Sequence, residues 1–241
     1  MKIISWNING IRSNIVCEGT FKKNFTYDKL QDSNLKILLI KYDPDIICFQ
    51  ETKCSSEIGS KILPIDKDKL YPYKYWNESK GEGRRGSGYS GTSVWCKSEP
   101  NFVNYEYDSF TDDYGRFIYI EYDNFCLINI YVPNSGGNYE YRKEWDIKLK
   151  KIMDKIQKPL IITGDFNVVS ESIDIWNNQP FNLENSPGLY KHEKVSFHSF
   201  LENFIDIFRY KYPTKDNKYT WWNTITKSRL SNKGWRIDYF I

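Results

Sequence analysis

Residues 159–167 read Pro-Leu-Ile-Ile-Thr-Gly-Asp-Phe-Asn, an apolar run that closes on a carboxylate and a carboxamide two positions apart. The run reads as a buried strand over 160–163 that ends at a glycine. Period two puts Asp165 and Asn167 on one side of an extended chain. An acceptor and a donor then point together from a rigid strand end, which suits holding a water against phosphorus. Taken alone, the segment favours a strand followed by an Asx-turn, with both side chains spent on the backbone; it does not stand alone. Polar residues recur at other expected strand ends: Asn7 and Asn9 after 2–6, Gln50-Glu51-Thr52-Lys53 after 45–49, and Tyr131 with Asn134 at the close of 125–132. Asp238 lies within the last apolar run. Gathered at one edge, these groups make a site of carboxylates, carboxamides and a phenol without a nucleophilic Ser or Cys. Such a set suits Mg²⁺-assisted phosphoryl hydrolysis. Mg²⁺ takes oxygen ligands, keeps several waters and is often held by one or two carboxylates. It neutralises phosphate charge, Asn and Tyr donate to the non-bridging oxygens, and a carboxylate aligns and deprotonates water.

The elements that must position these groups are regularly spaced. Strands are expected over 2–6, 45–49, 92–96, 116–122, 125–132, 160–163, 219–222 and 235–240, and helices over 33–42, 140–156 and 195–204. Leu35, Leu38, Leu39 and Tyr42 recur at helical spacing, as do Trp145, Leu149, Ile152 and Ile156. Asp123-Asn124 reads as a two-residue hairpin turn. Strands outnumber helices in a mixed order, which favours α/β with two packed sheets and helices outside over a doubly wound sheet. No linker divides the chain, so a single domain over 1–241 is expected.

The chain has 241 residues, 40% of them apolar and 17% aromatic, enough for a substantial core. Its five Cys lack paired metal-ligand spacing, and Cys48 and Cys126 sit in apolar runs as small core residues. No run reaches membrane-spanning length and no signal-peptide core opens the chain. A soluble intracellular protein is expected, not secreted, in a DNA-containing compartment (nucleus or cytoplasm). The net charge of +3 is weakly basic, but 80–85 and 227–236 are basic loops while 106–123 is acidic. Basic loops on a nearly neutral body suit a polyanion bound on one face.

Ser-Trp-Asn-Ile-Asn-Gly-Ile-Arg (5–12), Asp-Ile-Ile-Cys-Phe-Gln-Glu-Thr-Lys (45–53), Gly-Tyr-Ser-Gly (88–91), Gly-Arg-Phe (115–117), Tyr-Val-Pro-Asn (131–134), Gly-Asp-Phe-Asn (164–167), Tyr-Thr-Trp-Trp (219–222) and Gly-Trp-Arg-Ile-Asp-Tyr (234–239) stand in this order. Together they resemble the exonuclease III type of apurinic/apyrimidinic (AP) endonuclease, in the endonuclease/exonuclease/phosphatase superfamily. The resemblance implies a DNase I-like four-layer α/β sandwich: two packed mixed β-sheets flanked by helices. It implies Glu51 as the metal carboxylate with Asn7 and Asn9 beside it, Mg²⁺ as the ion and Mn²⁺ as the alternative. Some relatives carry Asp in place of Asn9. By the same resemblance Tyr131 contacts the scissile phosphate, Asn167 orients phosphate and water, Asp165 is the acid/base group and Asp238 orients a catalytic His. Trp221, Trp235 and Ile237 match the apolar pocket for a flipped-out abasic sugar, which excludes a normal base; Trp222 is expected as a core aromatic. Asn134 and Tyr89 resemble DNA-backbone contacts. Arg84 and Arg85 could meet phosphates, and Gly137 stands where some relatives insert an Arg into DNA.

One departure from the family pattern stands out. Members carry a Ser-Asp-His segment on a further strand beyond the match to 235–240, and the given residues close at Ile241. That strand pairs, in relatives, with the one matching 2–6, which would otherwise be a bare edge. The 241 residues are therefore expected to be incomplete at the C-terminus, with severely impaired hydrolysis. His192, in a polar loop, and His198, on a helix, are not substitutes. The implied function is a Mg²⁺-dependent, monomeric DNA-repair phosphodiesterase that cuts 5′ to abasic sites in double-stranded DNA, with 3′→5′ exonuclease or 3′-repair activity as an accompaniment. The alternatives are a non-catalytic DNA-binding relic and a phosphoesterase acting on RNA or inositol phosphates.

Overall fold

The computed structural model describes residues 1–14, 34–62, 70–108, 110–176 and 186–241. Cys17 and Ser33 lie outside the described residues. The chain divides into two compact units, Met1–Tyr131 and Val132–Ile241.

In the first unit, β1 (Ile3–Asn7), β2 (Ile46–Gln50), β4 (Thr92–Cys96) and β3 (Tyr73–Asn77) form one sheet in that spatial order. β1 runs parallel to β2, and β4 is antiparallel to both β2 and β3. β2 and β4, the inner strands, are buried throughout, their Gln50, Thr92 and Ser93 included, whereas β1 at the sheet edge is half-buried. Ile47 and Phe49 of β2 pack with Leu35 and Leu39 of α1 (Asn34–Tyr42), and Ile58 of α2 (Ser56–Ile62) joins the same cluster with Trp95 and Trp76. Gly59 makes this approach feasible, because a Cβ there would meet the Trp76 ring at 2.8 Å. Each large side chain buried here contributes about 1.5–3 kcal/mol.

Facing that sheet in the same unit is an antiparallel meander of β5 (Phe102–Asn104), β6 (Phe117–Glu121) and β7 (Cys126–Tyr131). The expected hairpin at Asp123-Asn124 joins β6 to β7, with the Tyr122 N–H donating to the Phe125 carbonyl at 2.9 Å. Between the two sheets, Gln50 Nε2 donates to Asn129 Oδ1 at 2.7 Å, and Asn129 Nδ2 donates to the Phe49 and Ser93 carbonyls at 3.0 Å each. Cys48 and Cys126 are buried, as small core residues should be.

In the second unit, β8 (Leu160–Asp165) pairs antiparallel with β11 (Asp238–Phe240), and β9 (Trp221–Trp222) pairs with β10 (Gly234–Trp235). α3 (Tyr139–Lys155) buries Trp145, Leu149, Ile152 and Met153, and Asn138 caps it by accepting from the Tyr141 N–H. α4 (Lys191–Phe200) and α5 (Ile207–Lys211) complete the unit.

Several boundaries differ from the sequence expectation for physical reasons. The run 235–240 is two strands, since Arg236 leaves the ladder to enter a buried ion cluster. α4 starts a turn earlier than 195 because the Glu193 carboxylate accepts from the Tyr190 N–H and caps it there. β3 and α2 give weak signals: an alternation with half-buried polar partners and a short helix containing Gly59.

Candidate active site

The first unit gathers Asn7, Asn9, Glu51, Lys53 and Tyr131. Asn7 ends β1 and Glu51 follows β2, so the parallel register brings the two strand ends together, Asn7 opposite Gln50. Asn9, Glu51 and Lys53 all have positive φ, at 47°, 52° and 49°. Such conformations cost about 1–3 kcal/mol each for residues with a side chain, and they cluster where structure serves function. The local hydrogen bonds explain the shape. Asn7 Nδ2 donates to Glu51 Oε1 at 2.9 Å, and Asn7 Oδ1 accepts from the Asn9 N–H at 3.1 Å. Lys53 Nζ lies 2.8 Å from Glu51 Oε2 and also donates to Asn9 Oδ1. The Tyr131 hydroxyl bonds the same Glu51 carboxylate. Burial alone would raise the Glu51 carboxyl, but Lys53, Asn7 and Tyr131 together hold it below the usual carboxylate range. Tyr89 is half-buried, its hydroxyl accepting from Arg116 Nη2 at 3.2 Å.

Among the described residues, no group of three or more His, Cys, Asp or Glu is set to hold a metal. The donor chemistry of this cluster nevertheless fits a hard divalent cation held by one carboxylate and waters. Glu51 Oε2 and Asn9 Oδ1 already share one cation, the Lys53 ammonium. Glu51 and Asn9 would hold the metal, and Asn7 would orient Glu51.

The second unit gathers Asn134, Asp165, Asn167, Trp221, Trp235, Ile237 and Asp238. β8 carries Asp165 at its end, buried, and β11 sets Asp238 directly opposite it. The period-two placement of Asn167 is overturned: the strand ends at Asp165, Asn167 has φ 49°, and its N–H donates to Asp165 Oδ1 at 2.8 Å in an Asx-turn. The turn still aims the Asn167 amide, whose Nδ2 donates to the Val132 carbonyl at 2.8 Å while Oδ1 accepts from Asn134 Nδ2 at 3.5 Å. Asn134 in turn accepts from the Gly136 N–H. Arg142 on α3 fastens this loop from behind, donating to the Pro133 and Phe166 carbonyls at 2.9 and 3.0 Å and pairing with Asp146 at 2.9 Å.

Trp221 and Trp235 face each other across β9 and β10 with ring centroids 5.2 Å apart, and Trp221 is 40% exposed. Ile237 sits in a small core with Val169, Ile175 and Leu189, against which Trp235 and Trp176 pack. Trp222 is not a core aromatic: a two-stranded hairpin leaves it half-buried, with Arg229 over its ring at 4.8 Å. Arg85 stacks on Tyr114, Arg84 is exposed, and open space surrounds the Gly137 Cβ position. His192 lies in the first turn of α4 rather than in a loop.

The sequence profile of the Endonuclease/Exonuclease/phosphatase family matches residues 4–241. The chain belongs to this family. It is 37% identical over 250 residues to the DNA repair nuclease APEX1 of Danio rerio, spanning 100% of this chain and 72% of that protein. It is 34% identical over 248 residues to an exodeoxyribonuclease of Bacillus subtilis, spanning 100% of this chain and 87% of that protein. An AP endonuclease structure from Archaeoglobus fulgidus matches with a TM-score of 0.77 at 24% identity, covering 100% of this chain and 85% of that one. The fold is therefore the DNase I-like four-layer α/β sandwich, and within the family the chain is of the exonuclease III type. The family's description spans endonucleases, exonucleases and phosphatases, all of which hydrolyse phosphoesters. No helix among the described residues is long and apolar enough to cross a membrane.

Sequence reasoning gave no role to Lys53, Arg116, Arg142 or Arg236. Each had a signal. Lys53 stands two residues from Glu51, and Arg142 falls on the apolar face of its helix, three residues before Trp145. Arg236 interrupts an apolar strand, and Arg116 follows a glycine whose φ of 64° only glycine adopts freely.

Proposed function

We propose that this chain is a Mg²⁺-dependent DNA-repair phosphodiesterase that cleaves 5′ to abasic sites in double-stranded DNA. The observation that carries the reading is the Glu51 carboxylate, held ionised and bonded at once by Lys53, Asn7 and Tyr131. A phenol that already donates to the cation-binding carboxylate is placed to meet a phosphate drawn to that cation. The bound metal would neutralise phosphate charge and stabilise the leaving oxygen. Tyr131 and Asn167 would donate to the non-bridging oxygens, and Asp165 would align the water and take its proton. Asp238, opposite Asp165, would orient a basic partner. Trp221, which offers an exposed face, and Trp235 would receive the baseless sugar, with Ile237 buttressing Trp235 from beneath; extruding a baseless nucleotide costs less unstacking. Asn134 and Tyr89 would contact the backbone. The profile's span over 4–241 supports reading both units as one domain. The protein would act as a monomer where DNA is found, and 3′→5′ exonuclease or 3′-repair activity would use the same groups.

One observation favours a second reading, DNA binding without turnover: the Lys53 ammonium already bridges the two groups a metal would need. A substrate panel of abasic duplex, intact duplex, RNA and inositol phosphates, each with Mg²⁺ and with chelator, separates the readings. Mg²⁺-dependent incision confined to the abasic duplex supports the first. Tight abasic-DNA binding without incision supports the second. Preference for RNA or inositol phosphate overturns both.

A further inference from the structure

Arg116 is 4% exposed, and no carboxylate is among its described contacts. The buried Arg142 and Arg236 both pair with Asp. Arg116 instead lies among three phenol rings: its guanidinium carbon is 4.5 Å from the Tyr131 centroid and 5.7 Å from those of Tyr89 and Tyr114. Nη1 donates to the Tyr131 carbonyl at 3.3 Å, and Nη2 donates to the Tyr89 hydroxyl at 3.2 Å. The Tyr131 N–H returns a bond to the Arg116 carbonyl at 2.9 Å. Nε, also buried, has no partner among the described residues. A desolvated cation gains little from such surroundings unless the ring faces supply its counter-charge. Gly115 fixes the backbone that delivers it, since a Cβ there would meet the Asn77 carbonyl oxygen at 2.4 Å.

We propose that Arg116 is a positioning residue for the reaction, holding the Tyr131 ring so that its hydroxyl stays on Glu51 and tying Tyr89 to the same cation. The proposal rests on the hydrolytic reading for the role it gives Tyr131. With the Tyr131 main chain pinned through its carbonyl and N–H and the guanidinium against its ring, the side chain cannot swing about χ1 without breaking the stack. The phenol is therefore set before any phosphate arrives, which is the pre-organisation such donors need. An arginine serving only the core would pair with a carboxylate. This one touches the two tyrosines to which DNA and phosphate contact are assigned.

The test is a double-mutant cycle with two readouts. Arg116→Met and Arg116→Lys are each made in the wild-type and Tyr131→Phe backgrounds, and folding is checked by circular dichroism. Single-turnover kinetics on abasic duplex give the rate constant and the half-saturating concentration. NMR of ring-labelled tyrosine follows Tyr131, assigned by its loss in Tyr131→Phe. Arg116→Met is expected to lower the rate about 10- to 100-fold, with half-saturation moved less than about threefold. In the Tyr131→Phe background the further loss should shrink to less than about threefold. Arg116→Lys, which keeps the charge, should recover part of the rate, and the Tyr131 signal should shift while that of the exposed Tyr210 does not. Equal losses in both backgrounds, a loss confined to half-saturation, or an unmoved Tyr131 signal would overturn the proposal. If the wild type incises no abasic DNA, the hydrolytic reading fails, and the NMR arm still decides whether Arg116 holds the ring. If Arg116→Met does not fold, Arg116→Lys carries both readouts.

Discussion

Replacing Arg236 with Met tests how the tryptophan pair is held. Arg236 lies between Trp235 and Ile237, 3% exposed, and bridges two buried carboxylates. Nε and Nη2 reach Asp174 at 2.7 and 2.8 Å, and Nη2 and Nη1 reach Asp206 at 2.6 and 3.2 Å. Removing one partner of a buried ion pair costs about 3–5 kcal/mol, because the remaining charge stays buried. Here the remaining charges keep some partners: Arg209 still pairs with Asp174, and the Phe208 and Arg209 N–H groups still donate to Asp206 at 3.0 and 3.2 Å. The lower end, about 3 kcal/mol, is therefore expected, or a drop in Tm of roughly 6–12 °C for a chain of this size. Urea unfolding followed by tryptophan fluorescence measures it. The double variant Arg236→Met, Asp206→Asn removes the orphaned charge, leaves the Arg209–Asp174 pair intact and should recover at least half the loss. An Arg236→Met protein within about 1 kcal/mol of wild type would refute the reasoning, as would a double variant no more stable than the single.

Other expectations follow from the same geometry. Asn9→Asp adds a second carboxylate beside Glu51, so Mg²⁺ titrated by calorimetry should bind several-fold tighter, and Glu51→Gln should abolish the Mg²⁺-induced rise in Tm. Gly115→Ala forces a Cβ against the Asn77 carbonyl at a positive φ and should cost about 2 kcal/mol or more in urea unfolding, whereas Gly137→Ala should be nearly neutral. Trp221→Ala should change stability by less than about 1 kcal/mol yet weaken abasic-duplex affinity roughly tenfold in anisotropy titrations. Burial, with Arg142 and Lys143 adding to it, pushes the His192 imidazole below its ordinary value, while Glu140 opposes. Between that lowered value and the ordinary one near 6.5, the unfolded chain binds more protons than the folded one, so stability falls as pH drops below 6.5. An NMR titration placing His192 above 6.5 would contradict this.

Much of the fold was legible because it is written in periodicity. The apolar runs at 45–49, 92–96, 116–122 and 125–132 match β2, β4, β6 and β7 to within a residue or two at either end. β3 and β5 were hidden, being stabilised by the strands beside them rather than by their own pattern. The family motifs pointed to Glu51 and Asp165. Lys53 was within reach, two residues from Glu51, but the roles of Arg116 and Arg236 were harder to read, because they act across the sequence on Tyr89 and Asp174, and little that is local distinguishes a buried cation from a solvated one. At Asn167 two readings competed: period two assumed an extended chain beyond Asp165, whereas the Asx-turn reading of the same residues is the one the structure has, with the Asn167 N–H on Asp165 Oδ1.

The Gln50–Asn129 bridge between the facing sheets bears on how the fold chooses its alignment. Gln50 immediately precedes Glu51, and Asn129 lies two residues before Tyr131, on the same side of β7. An all-apolar interface could slide by a residue pair at modest cost, since dispersion has no direction. This one cannot, because a shift would strand the amides that now meet at 2.7 Å and at the Phe49 and Ser93 carbonyls. The bridge acts as an index mark between two strands, each carrying a functional group one or two residues beyond it. It also asks both amides to shed water before the sheets can close, so their docking should be a late and comparatively slow event in folding, and once made, hard to misalign.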